Sequence, residues 1–191
     1  MLLEEPPRTP VAKRLRGEGM PIGAVFRHLS GLYFNGKLAY ARAFARPPAH
    51  NEGVYILTLT DGLMTPDTLI TAADLARFAK AEMGNDAGRA ELTRAVLELG
   101  EAMGDACDIV FLGSVATDKY TRMLEPALRE RLLFPRELIS RGQLARGALL
   151  LKCVLGELEL DYEPLSALRA EPRPPMAKRV RKRISARGVA H

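Results

Sequence analysis

Apolar residues along this chain fall into two kinds of run. Some are short and unbroken, rich in β-branched and aromatic residues: "GVYILTLT" at 53–60, "CDIVFLG" at 107–113 and "LLFP" at 132–135. Their lack of polar alternation predicts strands buried on both faces, as in a parallel sheet. "PIGAVFRHL" at 21–29 predicts a short first strand, and "ELELDYEPL" at 157–165 a strand that ends the sheet.

The second kind recurs at helical spacing. "TAADLARFAKAEM" opens with Thr71 and has Asp74 three positions on, close to a capping box. A helix is predicted from Asp86 to about Gly104, and another in "TDKYTRMLEPALRERL" with a break at Pro126. Ser140 and Gln143 have the Ser-x-x-Gln spacing of a capping box, so a helix should begin at Ser140. Leu144, Ala148, Leu151 and Leu155 then form its apolar face. "SGLYFNGKLAYARAFARPP" at 30–48 admits two descriptions. Asn35-Gly36 signals a hairpin, while Leu38, Ala41, Phe44 and Ala45 fit a helix ending before Pro47. We take residues 30–36 as a loop that leads into a helix.

Strands alternating with helices of 10 to 20 residues predict a three-layer α/β fold, a mostly parallel central sheet flanked by helices. It would occupy residues 21–168 as one domain. A flexible N-terminal arm, residues 1–20, would precede it, and a basic, disordered C-terminal tail, residues 169–191, would follow.

Charge changes this picture only at one end. The chain of 191 residues holds 28 Lys and Arg against 23 Asp and Glu, a net of +5. Arg173, Lys178, Arg179, Arg181, Lys182, Arg183 and Arg187 supply seven of those cations within residues 172–191, which hold no acid. The remainder has 21 basic and 23 acidic groups, a net of −2, so the body is near neutral. Lys178, Arg179, Arg181, Lys182 and Arg183 are candidate phosphate contacts, sequence-independent and salt-sensitive. A plain solubilising arm has the same composition.

Hydrophobic residues make up 47% of the chain and charged residues 27%, as in an ordinary soluble globular protein. The start, "MLLEEPPRTP", lacks the basic-then-apolar order of a signal peptide, and no run suits a membrane span. Cys107 and Cys153 lie within apolar runs, which suits buried thiols in a reducing compartment. A cytoplasmic protein is expected. The three histidines, His28, His50 and His191, have no metal-ligand spacing, so no metal is expected, and no cofactor.

Ligands of open parallel sheets bind beyond the carboxyl ends of the strands, which selects three loops. The first carries Asp61 and Gly62; Asp61 suits a catalytic carboxylate, though Asp-Gly is equally a turn dipeptide. The second carries Gly113, Ser114, Thr117, Lys119 and Tyr120: a glycine for close approach, hydroxyls, and a helix start for an anion. It also reads as a capped strand-to-helix turn, and it is not a Walker loop. The third carries Arg141 and Gly142. A cation in a first helical turn opposes the macrodipole by roughly 0.3 to 1 kcal/mol unless an anion offsets it. Arg146, five residues on, faces elsewhere around the helix, and a surface ion pair would also explain it.

With these residues on the page, the order of features resembles a family of uncharacterised bacterial α/β domains related to the peroxide-stress protein YaaA. The matching pieces are Leu32-Tyr33, "VYILT" at 54–58, Gly62-Leu63, "PDTLI" at 66–70, "IVFLGSVATDKY" and "FPRELISRGQL", together spanning residues 30–155. The family's opening strand and polar loop have no counterpart in residues 1–29, and Leu59-Thr60-Asp61 replaces the basic residue before Gly-Leu. The resemblance implies a connection to nucleic acid or nucleobases.

The expectation is therefore a nucleotide- or nucleic-acid-binding α/β protein, in one version acting on N-glycosidic bonds or nucleobases. Asp61 would be the catalytic carboxylate. Tyr33 and Tyr120 would contact a base, and Ser114, Thr117 and Arg141 a phosphate, with Gly62, Lys119, Gly142 and Arg146 beside them. DNA, RNA or a nucleotide would be the partner, with Asp61, Gly113 and Arg141 around one hollow. The alternative is a non-enzymatic scaffold that docks on nucleic acid or an acidic partner through its tail.

Overall fold

A computed structural model describes residues 2–3, 9–81, 86–115, 120–139 and 141–170. Thr9 starts the first helix by accepting from the Ala12 amide at 3.1 Å, with Pro10 at the first helical position, where its missing N–H is no loss. This helix, α1 (Pro10–Gly17), buries Ala12 and Leu15, so residues expected to be a loose arm are packed. After β1 (Met20–Pro21) comes α2 (Ile22–Phe44), 23 residues with a kink at Gly31, whose φ of 62° few other residues tolerate. The kink takes the Gly31 carbonyl out of the helical ladder, and Asn35 Nδ2 donates to it at 3.0 Å. Residues 21–29 are thus almost wholly helical rather than a strand, and Asn35-Gly36 lies inside a helix rather than in a loop or hairpin.

The hairpin lies further on, where β2 (Ile56–Leu57) pairs antiparallel with β3 (Leu63–Met64). Thr58 reverses the chain: its amide and hydroxyl both donate to the Gly62 carbonyl, at 2.8 and 3.1 Å. Gly62 takes φ 64° to make the turn. Then β4 (Leu69–Ile70) pairs antiparallel with β1. The capping box before α3 (Ala72–Ala81) forms as expected, with the Thr71 amide donating to the Asp74 carboxylate at 2.8 Å. The return bond, from the Asp74 amide to Thr71 Oγ1, is 3.4 Å. α4 (Asp86–Met103) follows, then β5 (Ile109–Val110), α5 (Thr121–Leu128) and β6 (Leu132–Pro135). α5 continues past Pro126 to Leu128 before the chain turns. The last elements are α6 (Gln143–Leu155), β7 (Tyr162–Pro164) and α7 (Leu165–Ala170).

The expected three-layer α/β architecture does not form. The described residues are mostly helical, with two two-stranded antiparallel sheets and one three-stranded mixed sheet, β5-β6-β7, in which only β5 and β6 run parallel. "GVYILTLT" gives two residues to a hairpin instead of a central strand, because the Thr58 turn reverses the chain after Leu57. No described helix is long and apolar enough to cross a membrane.

Two apolar clusters fill the interior, and α2 serves both across its kink. Ile22 and Val25 join Leu15, Ile70, Leu75 and Phe78 in one. Tyr40 joins Leu92, Val96, Leu128, Phe134 and Leu150 in the other. α6 buries Arg146, Gly147, Leu150 and Cys153, whereas Leu144 is 74% and Leu155 87% exposed. The expected apolar face of this helix is its solvent face. Its first residue is Gln143, capped by Gly142; Ser140 lies outside the described residues.

Candidate functional site

A close approach of two helices sets up the site. A Cβ on Gly36 of α2 would sit 2.7 Å from the Gly147 carbonyl oxygen, and one on Gly147 of α6 would sit 2.7 Å from that of Leu32. Backbone therefore touches backbone, and the larger side chains beside the glycines crowd into one place. From α2 these are Tyr33 and Lys37, one helical turn apart; from α6 it is Arg146.

Arg146 is 7% exposed. Its Nη2 donates to the Ile139 carbonyl at 3.3 Å and its Nη1 makes a long bond, 3.5 Å, to the Tyr33 hydroxyl. The Tyr33 hydroxyl in turn donates to the Leu112 carbonyl at 2.9 Å, tying α2 and α6 to the segment after β5. Lys37 Nζ lies 4.7 Å from the centre of the Tyr33 ring and 5.4 Å from that of Phe34. The Arg146 guanidinium carbon is 5.8 Å from the same Tyr33 ring. One aromatic ring thus serves two cations, each attracted by its negative face.

Among the described residues neither cation forms an ion pair with a carboxylate, and Arg146 Nε is buried with no hydrogen-bond partner. Glu137, on the turn before α6, pairs with neither. Burial, reinforced by the positive charge of Arg146, holds the Lys37 ammonium below its ordinary range. Both causes penalise the charged form. An anion between Lys37 and Arg146 would relieve them, with a planar donor fork on one side and a compact point charge on the other.

The other expected site residues are dispersed. Asp61, half-buried on the β2–β3 turn, is 2.7 Å from Arg77, which also holds Asp74 at 3.0 Å. Gly62 backs onto α4, where an added Cβ would be 2.8 Å from Ala95 Cβ. Gly113 lies under the Phe111 ring, and Ser114 is exposed. Tyr120 caps the start of α5 with its backbone. The exposed Arg141 side chain folds back to the Glu137 carbonyl at 2.8 Å, and Gly142 precedes α6. Thr117, Lys119, Lys178, Arg179, Arg181, Lys182 and Arg183 lie outside the described residues.

Of the expected group, then, the structure links Tyr33 and Arg146, beside the segment that leads to Gly113. Asp61 and Arg141 share no hydrogen bond or ion pair with them. The Tyr33 ring, expected to stack on or bond a base, faces Lys37 and Arg146. A loop at residues 30–36 hides the relation of Lys37 to Tyr33, which the helix Ile22–Phe44 creates. Read as helix, the four-residue spacing from Tyr33 to Lys37 and the Gly36 between them signal the same face. Cys153 is buried and its thiol is pushed up, first by burial; Cys107 is only half-buried. No family model, no curated protein and no solved structure matches the chain.

Proposed function

We propose that this protein binds an anionic ligand of the nucleotide or nucleic-acid class, with a phosphate seated at Lys37 and Arg146. One observation carries the reading: two adjacent inward cations share the Tyr33 ring and, among the described residues, no carboxylate pairs with either. Fixed like charges of this kind favour a counter-ion brought by a ligand. Lys37 is half-buried and keeps part of its surface open to one. The resemblance to the YaaA-related domains belongs to this proposal, as does a cytoplasmic location.

The test is calorimetric titration of the full chain with inorganic phosphate, a nucleoside, the matching nucleoside monophosphate and a short single-stranded oligonucleotide. Ligands carrying phosphate should bind and the nucleoside should not. Lys37→Met and Arg146→Met should each weaken phosphate binding by about tenfold or more. Unchanged affinity in both variants would remove the site. Chemistry at an N-glycosidic bond rests on Asp61, whose carboxylate holds Arg77. Asp61→Asn should abolish any nucleosidase turnover in a folded protein, and retained turnover would end that part of the proposal.

The tail favours a second reading, because it gathers seven cations and no acid at one end of the chain. Under that reading, removing residues 172–191 abolishes binding of every nucleic acid and phosphate ligand. Under the first, affinity for the mononucleotide survives.

A further inference from the structure

The larger apolar cluster is incompletely filled. A cavity of about 220 Å³ lies within it, walled by Phe44 of α2, Leu57 and Leu63 of the hairpin, Leu99 of α4, Ile109 of β5 and Leu124 of α5. A dry apolar cavity of about 150 Å³ accepts one benzene ring. A space of about 220 Å³ therefore accepts a bicyclic body or a chain of about eight to ten carbons. The cavity opens onto a wider cleft of about 900 Å³, with Phe44, Arg46, Met103, Asp108, Glu159 and Tyr162 lining both.

The polar rim has one sign of free charge. Arg46 is matched by Glu159 at 2.7 Å, and Glu159 also accepts from the Tyr162 hydroxyl at 3.0 Å. The Tyr40 and Tyr162 hydroxyls are 2.7 Å apart, and Tyr40 accepts from the Leu160 amide at 2.8 Å. Burial, first among the causes, raises both phenols, so this chain of hydrogen bonds is neutral apart from the Arg46–Glu159 pair. What remains on the rim is Glu52, Asp108 and Asp161, all exposed and none in an ion pair among the described residues. Three unpaired carboxylates around an apolar mouth attract a cation and repel a carboxylate or phosphate. The aromatic walls, Tyr55 and Phe44, suit the same sign of charge.

We propose that this cavity is a binding site for a small hydrophobic amine, its bicyclic or alkyl body among Leu57, Leu99 and Ile109 and its ammonium at the mouth beside Asp108 and Asp161. The site is separate from the phosphate site at Lys37 and Arg146. The two meet at Leu112, whose residue lines the cavity while its carbonyl accepts from Tyr33. Loss of either proposal leaves the other standing.

The experiment titrates the full chain at low ionic strength with three ligands of one shape: 1-naphthylmethylamine, 1-naphthalenemethanol and 1-naphthoate. The amine should bind about tenfold or more tighter than the naphthoate, with the neutral alcohol between, and added salt should narrow the gap. Leu99→Trp fills the cavity and should remove amine binding while the far-ultraviolet dichroism stays unchanged. The double variant Asp108→Asn, Asp161→Asn changes only exposed side chains, so it remains informative if Leu99→Trp unfolds. It should bring amine and naphthoate to within about threefold and leave the alcohol unaffected. Equal or tighter binding of naphthoate by the unaltered protein would overturn the proposal. So would amine binding that persists in a folded Leu99→Trp, or an amine preference untouched by the double variant.

Discussion

Lys37 is held where water would hold it better. Its ammonium faces Tyr33 and Phe34 of its own helix and Arg146 across the helix crossing, with no carboxylate of the described residues paired with it. Its folded pKa is lowered from the ordinary 10.5, first by burial and then by Arg146. In the interval between the lowered value and 10.5, the unfolded chain binds more protons than the folded one. Stability therefore rises with pH across that interval, and below it the full cost of the buried charge is present. Lys37→Met should raise the free energy of unfolding by roughly 1 kcal/mol at pH 7. It should also flatten the alkaline rise. Urea unfolding at pH 7, 9 and 10.5 reads both effects, and a variant less stable at pH 7 would show that the ammonium is already compensated. Under the proposed function, ligand binding and stability oppose each other at this residue: a cation that weakens the fold is one that a phosphate can use.

The crossing of α2 and α6 depends on two missing side chains. An added methyl at Gly147 meets the backbone of Leu32 and Tyr33 under 3.0 Å, and backbone cannot swing aside as a side-chain tip can. Gly147→Ala should lower stability by about 2 to 3 kcal/mol. Gly17→Ala, with nothing within 4 Å, should leave it within about 1 kcal/mol of the original. Thermal unfolding of the two variants side by side tests the contact. Element by element, the sequence told most where both partners lie within a few residues. The Thr71–Asp74 capping box and the span of α4 are of that kind. It misled wherever a distant element chooses between local options. Leu144, Ala148, Leu151 and Leu155 make a sound helical stripe, yet the face with Gly147 and Leu150 is buried, because only a glycine admits α2 so closely. Periodicity weighs apolar side chains and is blind to a contact made by backbone. Leu144→Lys and Leu155→Lys should each change stability by less than about 0.5 kcal/mol, whereas Leu150→Ala should cost about 2 to 5 kcal/mol. A large loss at Leu155 would mean that its exposed side is covered in solution.

For the whole molecule, the error in architecture and the placement of charge have a common origin: both were read from runs rather than from partners. Apolar runs at 54–58 and 109–112 look like neighbouring strands of one sheet. Each instead pairs over two residues, one in a hairpin and the other with β6, and helices supply most of the covering surface. The tyrosine and arginine of the candidate site were legible as residues, but their meeting across α2 and α6 was not, because 113 positions separate them. Charge divides the chain into a body at net −2 and a terminal segment carrying seven cations. Under the proposed function, that division predicts two kinds of phosphate binding with different salt dependence. Contacts made by the terminal cations would displace condensed counter-ions from a nucleic acid, about 0.7 per contact on a single strand. Deleting residues 172–191 should therefore reduce the slope of log affinity against log salt by up to about 5 for a single-stranded oligonucleotide. Binding of a nucleoside monophosphate, which has no condensed atmosphere to release, should stay within about twofold of the full chain, because Lys37 and Arg146 remain. Fluorescence anisotropy across a salt series measures the first quantity and calorimetry the second. An unchanged slope would show that the terminal cations never reach the strand. Loss of the mononucleotide with the tail would transfer all phosphate recognition to that segment and leave the cations at the helix crossing without a ligand.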